Sequence, residues 1–170
     1  MSDIAVRHAA MDDAPALLDI YNHYVRETPI TFDLEPRTLA QRREWLAGFA
    51  PTGRYRCLVA VRDGGAIGWA SSSRFKERQA YETSIETGIY LAPGETGRGL
   101  GRRLYAALFE ALRGEDLHRA YGGVTQPNPA SNRLHEAMGF VRRGVLPEIG
   151  RKFGRYWDVA FYVKPLGDQP

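Results

Sequence analysis

The sequence predicts an α+β fold on a central mixed, mostly antiparallel sheet of six to seven strands flanked by about four helices. Three observations support this class. Strand-like and helix-like apolar spacings are interspersed along the chain. Asp63-Gly64-Gly65 has the composition of a tight hairpin turn, and residues 84–112 change from strand to glycine-rich turn to amphipathic helix. With 170 residues the chain can bury one sizeable core, so we predict a single domain over residues 1–170.

The chain begins with a predicted strand and helix. Ile4 and Val6 alternate with polar neighbours, as in a short strand. Asp12 or Asp13 is expected to cap the helix that follows, and Pro15 suits its first turn. The helix then shows apolar residues at helical spacing at Leu17, Leu18, Tyr21, Tyr24 and Val25.

A second helix follows a turn-rich link, residues 28–36, that holds an isolated Phe32. Thr38 and Gln41 have the spacing of a capping box, in which each side chain bonds the other residue's backbone. The apolar residues that continue this helix are Leu39, Trp45, Leu46 and Phe49. Strands are predicted over 55–61 and 67–73, one on each side of the hairpin turn.

The rest of the chain contains shorter signals. Residues 75–81 form a polar, charged loop, and residues 120–125 form a strand. A helix over 130–138 is closed by Gly139. Strands over 140–146 and 157–163 are predicted to be joined by a loop rich in glycine and basic residues.

Composition excludes several classes of protein. The net charge of +3 is mild and the arginines are dispersed, which disfavours a nucleic-acid partner. The single cysteine, Cys57, lies in an apolar run, so neither a disulfide framework nor a zinc pattern is expected, and we predict no metal. We see neither a signal-peptide core nor an apolar run of membrane-spanning length, and we predict a soluble cytoplasmic protein without a membrane partner.

The glycine-rich turn before residue 102 is a candidate anion site. Gly97, Gly99 and Gly101 let the backbone approach an anion closely, and free N–H groups and the helix dipole attract negative charge there. Three arginines, Arg98, Arg102 and Arg103, add positive charge. The spacing matches neither a dinucleotide fingerprint nor a nucleoside-triphosphate loop. It predicts a diphosphate cradle, and the alternative is a plain strand–loop–helix connection.

A second motif follows, residues 128–140, reading NPASNRLHEAMGF. An Asn precedes a helix, and His135 stands four residues before Gly139-Phe140. Together with the glycine turn this motif resembles the Gcn5-related N-acetyltransferase (GNAT) superfamily. The resemblance extends along nearly the whole chain to the branch of phosphinothricin and methionine sulfone or sulfoximine acetyltransferases. The residues that carry it are Ile20–Tyr24, Phe32, Phe75–Tyr81, Glu86, Arg133–Ala137 and Lys152–Asp158.

The resemblance implies a GNAT fold with a V-shaped cleft at the fourth strand. It also implies acetyl-CoA as cosubstrate, a small-molecule amine as acceptor and a homodimer. It places coenzyme contacts at Ile89, Tyr90, Leu91, Gly97, Arg98, Gly99, Leu100, Gly101, Arg102, Asn128 and Ser131. Thr96 departs from the usual Gln or Arg, and Arg98 and Arg102 are expected to compensate for it. Ser131 and Asn132 either cap their helix or contact the coenzyme.

Glu86 is the candidate general base. An amine acceptor is mostly protonated at neutral pH and must lose a proton before it attacks a thioester. Alternation puts Glu86 on one face of its strand with Gly88 and Tyr90, where partial burial would raise its pKa. The alternative is a glutamate on a solvent-facing side of the sheet. Gly88 is expected to form a bulge that opens the acetyl slot.

His135 is the second candidate catalytic residue. The wider superfamily often has Tyr at this position, whereas the phosphinothricin branch resembles this chain in having His. The side chain could give the leaving thiolate a proton, hold a water molecule or the sulfur, or simply pack against the sheet.

The acceptor pocket is inferred from the resemblance. Its predicted residues are Phe32, Lys76, Arg78, Tyr81, Glu86, Thr87 and Gly88. Lys76 and Arg78 would bind the acceptor's oxygens, although a solvated charged loop is the alternative. Three functions compete: an amino-acid acetyltransferase, an acetyltransferase of a protein N-terminus, polyamine or aminoglycoside, and a non-catalytic acyl-CoA sensor.

Overall fold

The computed structural model describes residues 3–167. Its strands are β1 (Ala5–His8), β2 (Cys57–Arg62), β3 (Gly65–Arg74), β4 (Ser84–Leu91), β5 (Arg119–Thr125), β6 (Val141–Lys152) and β7 (Arg155–Pro165). Its α-helices are α1 (Ala14–Glu27), α2 (Leu39–Ala47), α3 (Leu100–Ala111) and α4 (Pro129–Ala137).

The strands form one seven-stranded sheet in the order β1-β2-β3-β4-β5-β7-β6. All neighbouring pairs are antiparallel except β4 and β5, which are parallel. The predicted fold class, a mixed and mostly antiparallel sheet with four helices, is confirmed. The parallel pair is short, because only Ser84 to Glu86 are paired with residues 119–121.

Helices cover both faces of the sheet and produce two cores. On one face α1 and α2 pack over the centre of the sheet around Leu17 and Trp69, which are almost fully buried. On the other face α3 and α4 pack around Leu104, Tyr105 and Tyr162, each without exposed surface. Since successive residues of β4 point to opposite faces, each core takes alternate side chains of that strand.

Local sequence signals fix several element ends as predicted. Asp63 and Gly64 both have positive φ, 51° and 82°, which suits a two-residue hairpin turn. The Gln41 amide donates to Thr38 Oγ1 at 3.2 Å, and the Thr38 amide donates to Gln41 Oε1 at 2.9 Å. The predicted capping box at the start of α2 is therefore confirmed.

The predicted cap of α1 is right in its position and wrong in its hydrogen bond. Asp13 is the N-cap residue of α1, but its side chain accepts no N–H of that helix, and a single 3₁₀ turn over Met11–Asp13 precedes the helix. The Asp13 carboxylate instead accepts two hydrogen bonds from Arg7 at 2.8 Å and one from the Ala10 amide. An ion pair with β1 takes the oxygens that a cap would need.

The predicted loop between residues 146 and 157 is also wrong. Strand β6 continues to Lys152 and turns through Phe153 and Gly154 into β7. Its pairing with β7 shifts register twice, and nearly every side chain before residue 150 is exposed. Because of these bulges and this exposure, β6 lacks the alternation of apolar and polar residues that identifies a strand in a sequence. The buried Lys152 amine donates to the Thr31 carbonyl at 2.8 Å and anchors the hairpin.

Candidate active site

A cleft opens where β4 and β5 separate. Beyond Glu86 the edge of β4 that faces β5 has no strand partner among residues 3–167. At the point of separation the Thr87 hydroxyl donates to the Tyr121 carbonyl at 3.2 Å. The cleft leads into a cavity of about 540 Å³. The predicted bulge at Gly88 is absent, since Gly88 pairs in regular register with Ser71 of β3. The opening comes from the divergence of a parallel pair, with no bulge in β4.

Glu86 lines this cavity on the face of β4 that carries Tyr90. Its carboxylate is open to the cleft and forms no hydrogen bond or ion pair with any residue from 3 to 167. The surrounding walls still remove part of its hydration, and this burial raises its pKa above the ordinary glutamate value. A carboxylate in this setting is available to accept a proton from a bound group.

His135 lies at the floor of the cavity and is 3% exposed. Its Nδ1 lies 2.8 Å from the Ser131 carbonyl oxygen, and only an N–H can donate there. That contact fixes the tautomer, so Nε2 accepts from the Tyr105 hydroxyl at 3.2 Å. Burial lowers the pKa of His135, so the imidazole is neutral at pH 7. The aromatic rings of Tyr105, Phe140 and Tyr162 surround it.

Asn128 is the cap of α4. Its side-chain oxygen accepts from the Ser131 amide at 3.1 Å, and this leaves its amide group toward the cavity. Asn132 exchanges two hydrogen bonds with Gln126, each 3.0 Å long. The Ser131 hydroxyl lies 3.3 Å from His135 Nδ1. Asn128 therefore caps α4, and neither Ser131 nor Asn132 does. Contact of Ser131 or Asn132 with a coenzyme stays a prediction.

The glycine-rich turn leaves backbone donors open at the N-terminus of α3. Gly97 and Gly99 have φ of 76° and 78°, and a Cβ at either would meet nothing within 4 Å. The Arg103 amide bonds to Gly99 O, so the N–H groups of residues 100–102 lie in the helix's unpaired first turn. A two-pronged ion pair between Arg62 and Glu95 holds the start of the turn.

Not every residue of this turn faces outward. The Leu100 side chain is buried in the core, and Gly101 packs against Leu134 of α4. Arg103 donates to the Ile4 carbonyl at 2.6 Å, so its expected mobile charge is tied to the start of the chain. Arg98 and Arg102 are exposed beside the open N–H groups.

An aromatic wall closes the other side of the cavity. Trp69 and Tyr90 stack with ring centroids 4.9 Å apart, and Tyr21 and Trp45 pack around them. Phe32 completes the wall, and its ring lies against Gly150 of β6, where a Cβ would overlap it. The C-terminal hairpin therefore shapes the cavity from a distant part of the sequence.

The predicted acceptor residues are only partly gathered here. The cavity is lined by Phe32, Glu86, Thr87 and Gly88. Lys76, Arg78 and Tyr81 lie on the loop after β3 and are absent from its lining. Lys76 Nζ lies over the Phe75 and Tyr81 rings, 5.3 and 5.4 Å from their centroids. Whether this loop contacts an acceptor stays a prediction.

Several residues of the cavity wall are not among the site residues predicted from the sequence. They are Tyr21, Arg42, Trp45, Trp69 and Tyr105. Four are aromatic residues in apolar patterns, which are also typical of core positions. Arg42 sits three residues before Trp45 on α2, which is the only signal the sequence offers for it.

No group of three or more His, Cys, Asp or Glu side chains in residues 3–167 is arranged to hold a metal ion. Among the helices described, none combines the length and apolar character needed to cross a membrane.

Comparisons with known proteins agree with this geometry. The model of the acetyltransferase (GNAT) family matches residues 17–140. Over 167 residues the chain is 53% identical to phosphinothricin N-acetyltransferase of Streptomyces coelicolor, covering 97% of this chain and 98% of that protein. It is 34% identical to the L-methionine sulfoximine/L-methionine sulfone acetyltransferase of Pseudomonas paraeruginosa, covering 92% and 91% of the two chains.

A solved structure gives the same result. The crystal structure of a GNAT superfamily phosphinothricin acetyltransferase from Sinorhizobium meliloti, in complex with acetyl-CoA, superposes with a TM-score of 0.89 at 30% identity. The match covers 98% of this chain and 90% of that one.

Proposed function

The chain belongs to the acetyltransferase (GNAT) family, and from this premise we propose that it transfers acetyl from acetyl-CoA to the α-amino group of a small amino acid. Phosphinothricin, methionine sulfone and methionine sulfoximine are the proposed acceptors, after the substrates that name its relatives. The observation that carries the proposal is Glu86 on the wall of a cleft opened by the divergence of β4 and β5.

The coenzyme would bind along the open edge of β4 and the start of α3. The diphosphate meets the N–H groups of residues 97–102, where the helix dipole and two free arginines, Arg98 and Arg102, attract negative charge. The pantetheine arm lies beside Ile89, Tyr90 and Leu91 and takes hydrogen bonds from the edge of β4. On the other side of the cleft, the Asn128 amide and the Ser131 hydroxyl face the same arm.

Glu86 would take the proton of the acceptor's ammonium group, directly or through water. The amine nitrogen then attacks the thioester carbonyl carbon, a C–N bond forms, and the C–S bond breaks. The sulfur leaves as thiolate. The nitrogen releases a second proton as the amide forms, and the thiolate takes up one proton in exchange, which gives the acetylated amine and free coenzyme A. The raised pKa of Glu86 suits this role, because a base close in pKa to the working pH takes and releases a proton readily.

His135 would act as a neutral group. Its Nδ1–H is bound to Ser131 O and its Nε2 to the Tyr105 hydroxyl, so it orients that hydroxyl in the cavity wall. These contacts support a role in shaping the acetyl end of the cleft over a role as a cationic acid.

The acceptor would lie between Glu86 and the aromatic wall. Phe32 supplies an apolar surface, and Thr87 and Gly88 border the amino group through the backbone. The loop after β3 would contact the acceptor's oxygens when it folds over the cleft. The proposed contacts on this loop are Lys76, Arg78 and Tyr81.

We also propose a cytoplasmic homodimer. The hairpin of β6 and β7 presents exposed apolar side chains, among them Ile149, Phe153 and Tyr156, each more than half exposed. An apolar edge strand of this kind is a natural surface for a second copy. Analytical ultracentrifugation tests it, and a monomer at micromolar concentration would remove this part of the proposal.

The decisive variant is Glu86→Gln, with Glu77→Gln as a matched control. Glu77 is 92% exposed and lies outside the cavity, so the same chemical change there should leave turnover intact. Loss of a general base should lower kcat about 10²–10⁴-fold, while coenzyme A affinity by calorimetry stays unchanged. An undiminished rate in Glu86→Gln would remove Glu86 as the base.

A further inference from the structure

Arg42 is a buried cation without a hydrogen-bond partner. The residue is 4% exposed, its Nε is fully enclosed, and no residue from 3 to 167 accepts a hydrogen bond from its guanidinium. The other buried arginine behaves differently. Arg56 is 9% exposed and donates to Gly53 O, Pro51 O and the Glu115 carboxylate. A buried guanidinium without such partners is costly, so Arg42 calls for a physical explanation.

Stacking on aromatic rings explains part of the burial of the Arg42 charge. The Arg42 Cζ lies 4.3 Å from the Tyr21 ring centroid, 4.5 Å from that of Trp45 and 5.3 Å from that of Trp69. Such contacts stabilise the charge through the faces of the rings. They leave the N–H donors unsatisfied, because all five lie in the guanidinium plane and point outward from its edge.

Asp33, a carboxylate in the lining of the same cavity, is already occupied. Asp33 accepts from Arg37 at 2.7 and 2.8 Å and from the Tyr21 hydroxyl at 2.7 Å. Burial lowers the pKa of Arg42, and no carboxylate opposes that shift. A positive charge therefore remains uncompensated in this wall.

The position of Arg42 is built into the fold. The buried Asn22 side chain bonds both the amide and the carbonyl of Arg37, and the capping box of Thr38 and Gln41 then starts α2. One turn of helix later, Arg42 lines the same cavity as Glu86. A group held this rigidly is ready to bind a ligand without reorganising.

We propose that the Arg42 guanidinium binds an anionic oxygen pair of the acceptor, while Glu86 faces its amino group. The inference rests on the proposed function of this cleft and adds a specificity-determining residue to it. A carboxylate and a phosphinate both present two oxygens to a guanidinium, and an acceptor of the proposed class can carry either. Acceptors that carry the carboxylate, the phosphinate, both or neither therefore show which of the two anions Arg42 binds.

The test is a matrix of four acceptors and two proteins. Phosphinothricin carries both anions, and its α-carboxamide carries the phosphinate alone. Methionine sulfone carries the carboxylate alone, and methioninamide sulfone carries neither. The proteins are wild type and Arg42→Met, whose flexible apolar side chain refills much of the space. Loss of a charge-assisted hydrogen-bond pair should lower kcat/KM about 10–100-fold.

That loss should fall only on acceptors that carry the bound anion. Methioninamide sulfone should change less than about threefold, since it offers neither anion. Loss on methionine sulfone but not on phosphinothricin carboxamide assigns the carboxylate, and the reverse assigns the phosphinate. An equal loss on all four acceptors would make Arg42 a packing residue and overturn the proposal.

Failure of the proposed function has a separate signature, namely no thiol release by wild type with any acceptor. Arg42 is then tested by fluorescence, because Trp45 and Trp69 flank its guanidinium. Acetate or dimethylphosphinate, titrated at constant ionic strength, should change wild-type emission saturably. Absence of a saturable change would overturn the proposal, and this titration needs no folded variant.

Discussion

Changing Tyr105 to phenylalanine removes the hydroxyl that donates to His135 Nε2 at 3.2 Å. Because His135 Nδ1 is committed to Ser131 O at 2.8 Å, Nε2 has to accept a hydrogen bond. Both side chains are enclosed, with Tyr105 wholly buried and His135 3% exposed. Leaving a buried acceptor unpaired costs about 1–3 kcal/mol in the free energy of unfolding. For a chain of this size that corresponds to a fall of roughly 2–12 °C in Tm.

Tyr162 provides a matched control in the same cluster. Its ring is also fully buried and lies 5.3 Å from that of His135, but its hydroxyl has no partner among the described residues. Tyr162→Phe removes an unsatisfied buried group, so it should be neutral or stabilising. The two variants make the same chemical change at equal burial. They differ in the contacts of the lost hydroxyl, which in Tyr105 are His135 Nε2 at 3.2 Å and, more weakly, Thr87 Oγ1 at 3.5 Å.

Circular dichroism at pH 7.5, by thermal and urea unfolding, measures both variants. Tyr105→Phe should unfold at a lower temperature and a lower urea midpoint than Tyr162→Phe. Equal Tm values, within about 1 °C, would refute the hydrogen bond and the His135 tautomer inferred from it.

Three further predictions concern the cleft. Because burial raises the pKa of Glu86, kcat/KM should rise with pH as Glu86 loses its proton, and the midpoint should lie above that of an ordinary glutamate. Glu86→Gln should abolish this rise at acidic pH and keep the pH dependence that comes from the acceptor amine. Gly99→Asp puts a negative charge at the start of α3 and should weaken the affinity for coenzyme A, measured by calorimetry, about tenfold or more. Gly64→Asp, at a similar φ of 82° in the hairpin turn, should leave that affinity unchanged, and equal affinities of the two variants would contradict the anion site. Gly150→Ala pushes a Cβ into the Phe32 ring and should lower the free energy of unfolding in urea by about 1–3 kcal/mol. It should also raise KM for the acceptor, and an unchanged KM would show that Phe32 does not contact the acceptor.

Features set by neighbours in the chain could be predicted from the sequence. The hairpin turn at Asp63 and Gly64 and the capping box of Thr38 and Gln41 each depend on residues within three positions of each other. Glu86 was placed correctly on its face of β4 because alternation is a local rule. Its side chain is exposed to the cleft, and the loss of hydration that raises its pKa comes from the cavity walls around it.

Features set by distant residues were missed. Arg42 sits within a charged stretch of α2, and only the rings of Tyr21 and Trp69, from α1 and β3, make it a wall of the cavity. The extension of β6 depends on Lys152 reaching the Thr31 carbonyl, 121 residues away in the chain. No short window of sequence carries such contacts. The divergence of β4 from β5 likewise arises between strands separated by α3, and the sequence suggested a bulge at Gly88 in its place.

Free-thiol release from acetyl-CoA tests the proposed chemistry most directly. Phosphinothricin, methionine sulfone, methionine sulfoximine and spermidine are offered separately to the wild-type protein. We expect turnover with the three amino acids and none with spermidine. The cavity presents Arg42 to an anion, and of its two carboxylates Asp33 is paired with Arg37, which leaves Glu86 to face a cation. Turnover with spermidine alone, or with none of the four, would contradict an amino-acid acetyltransferase.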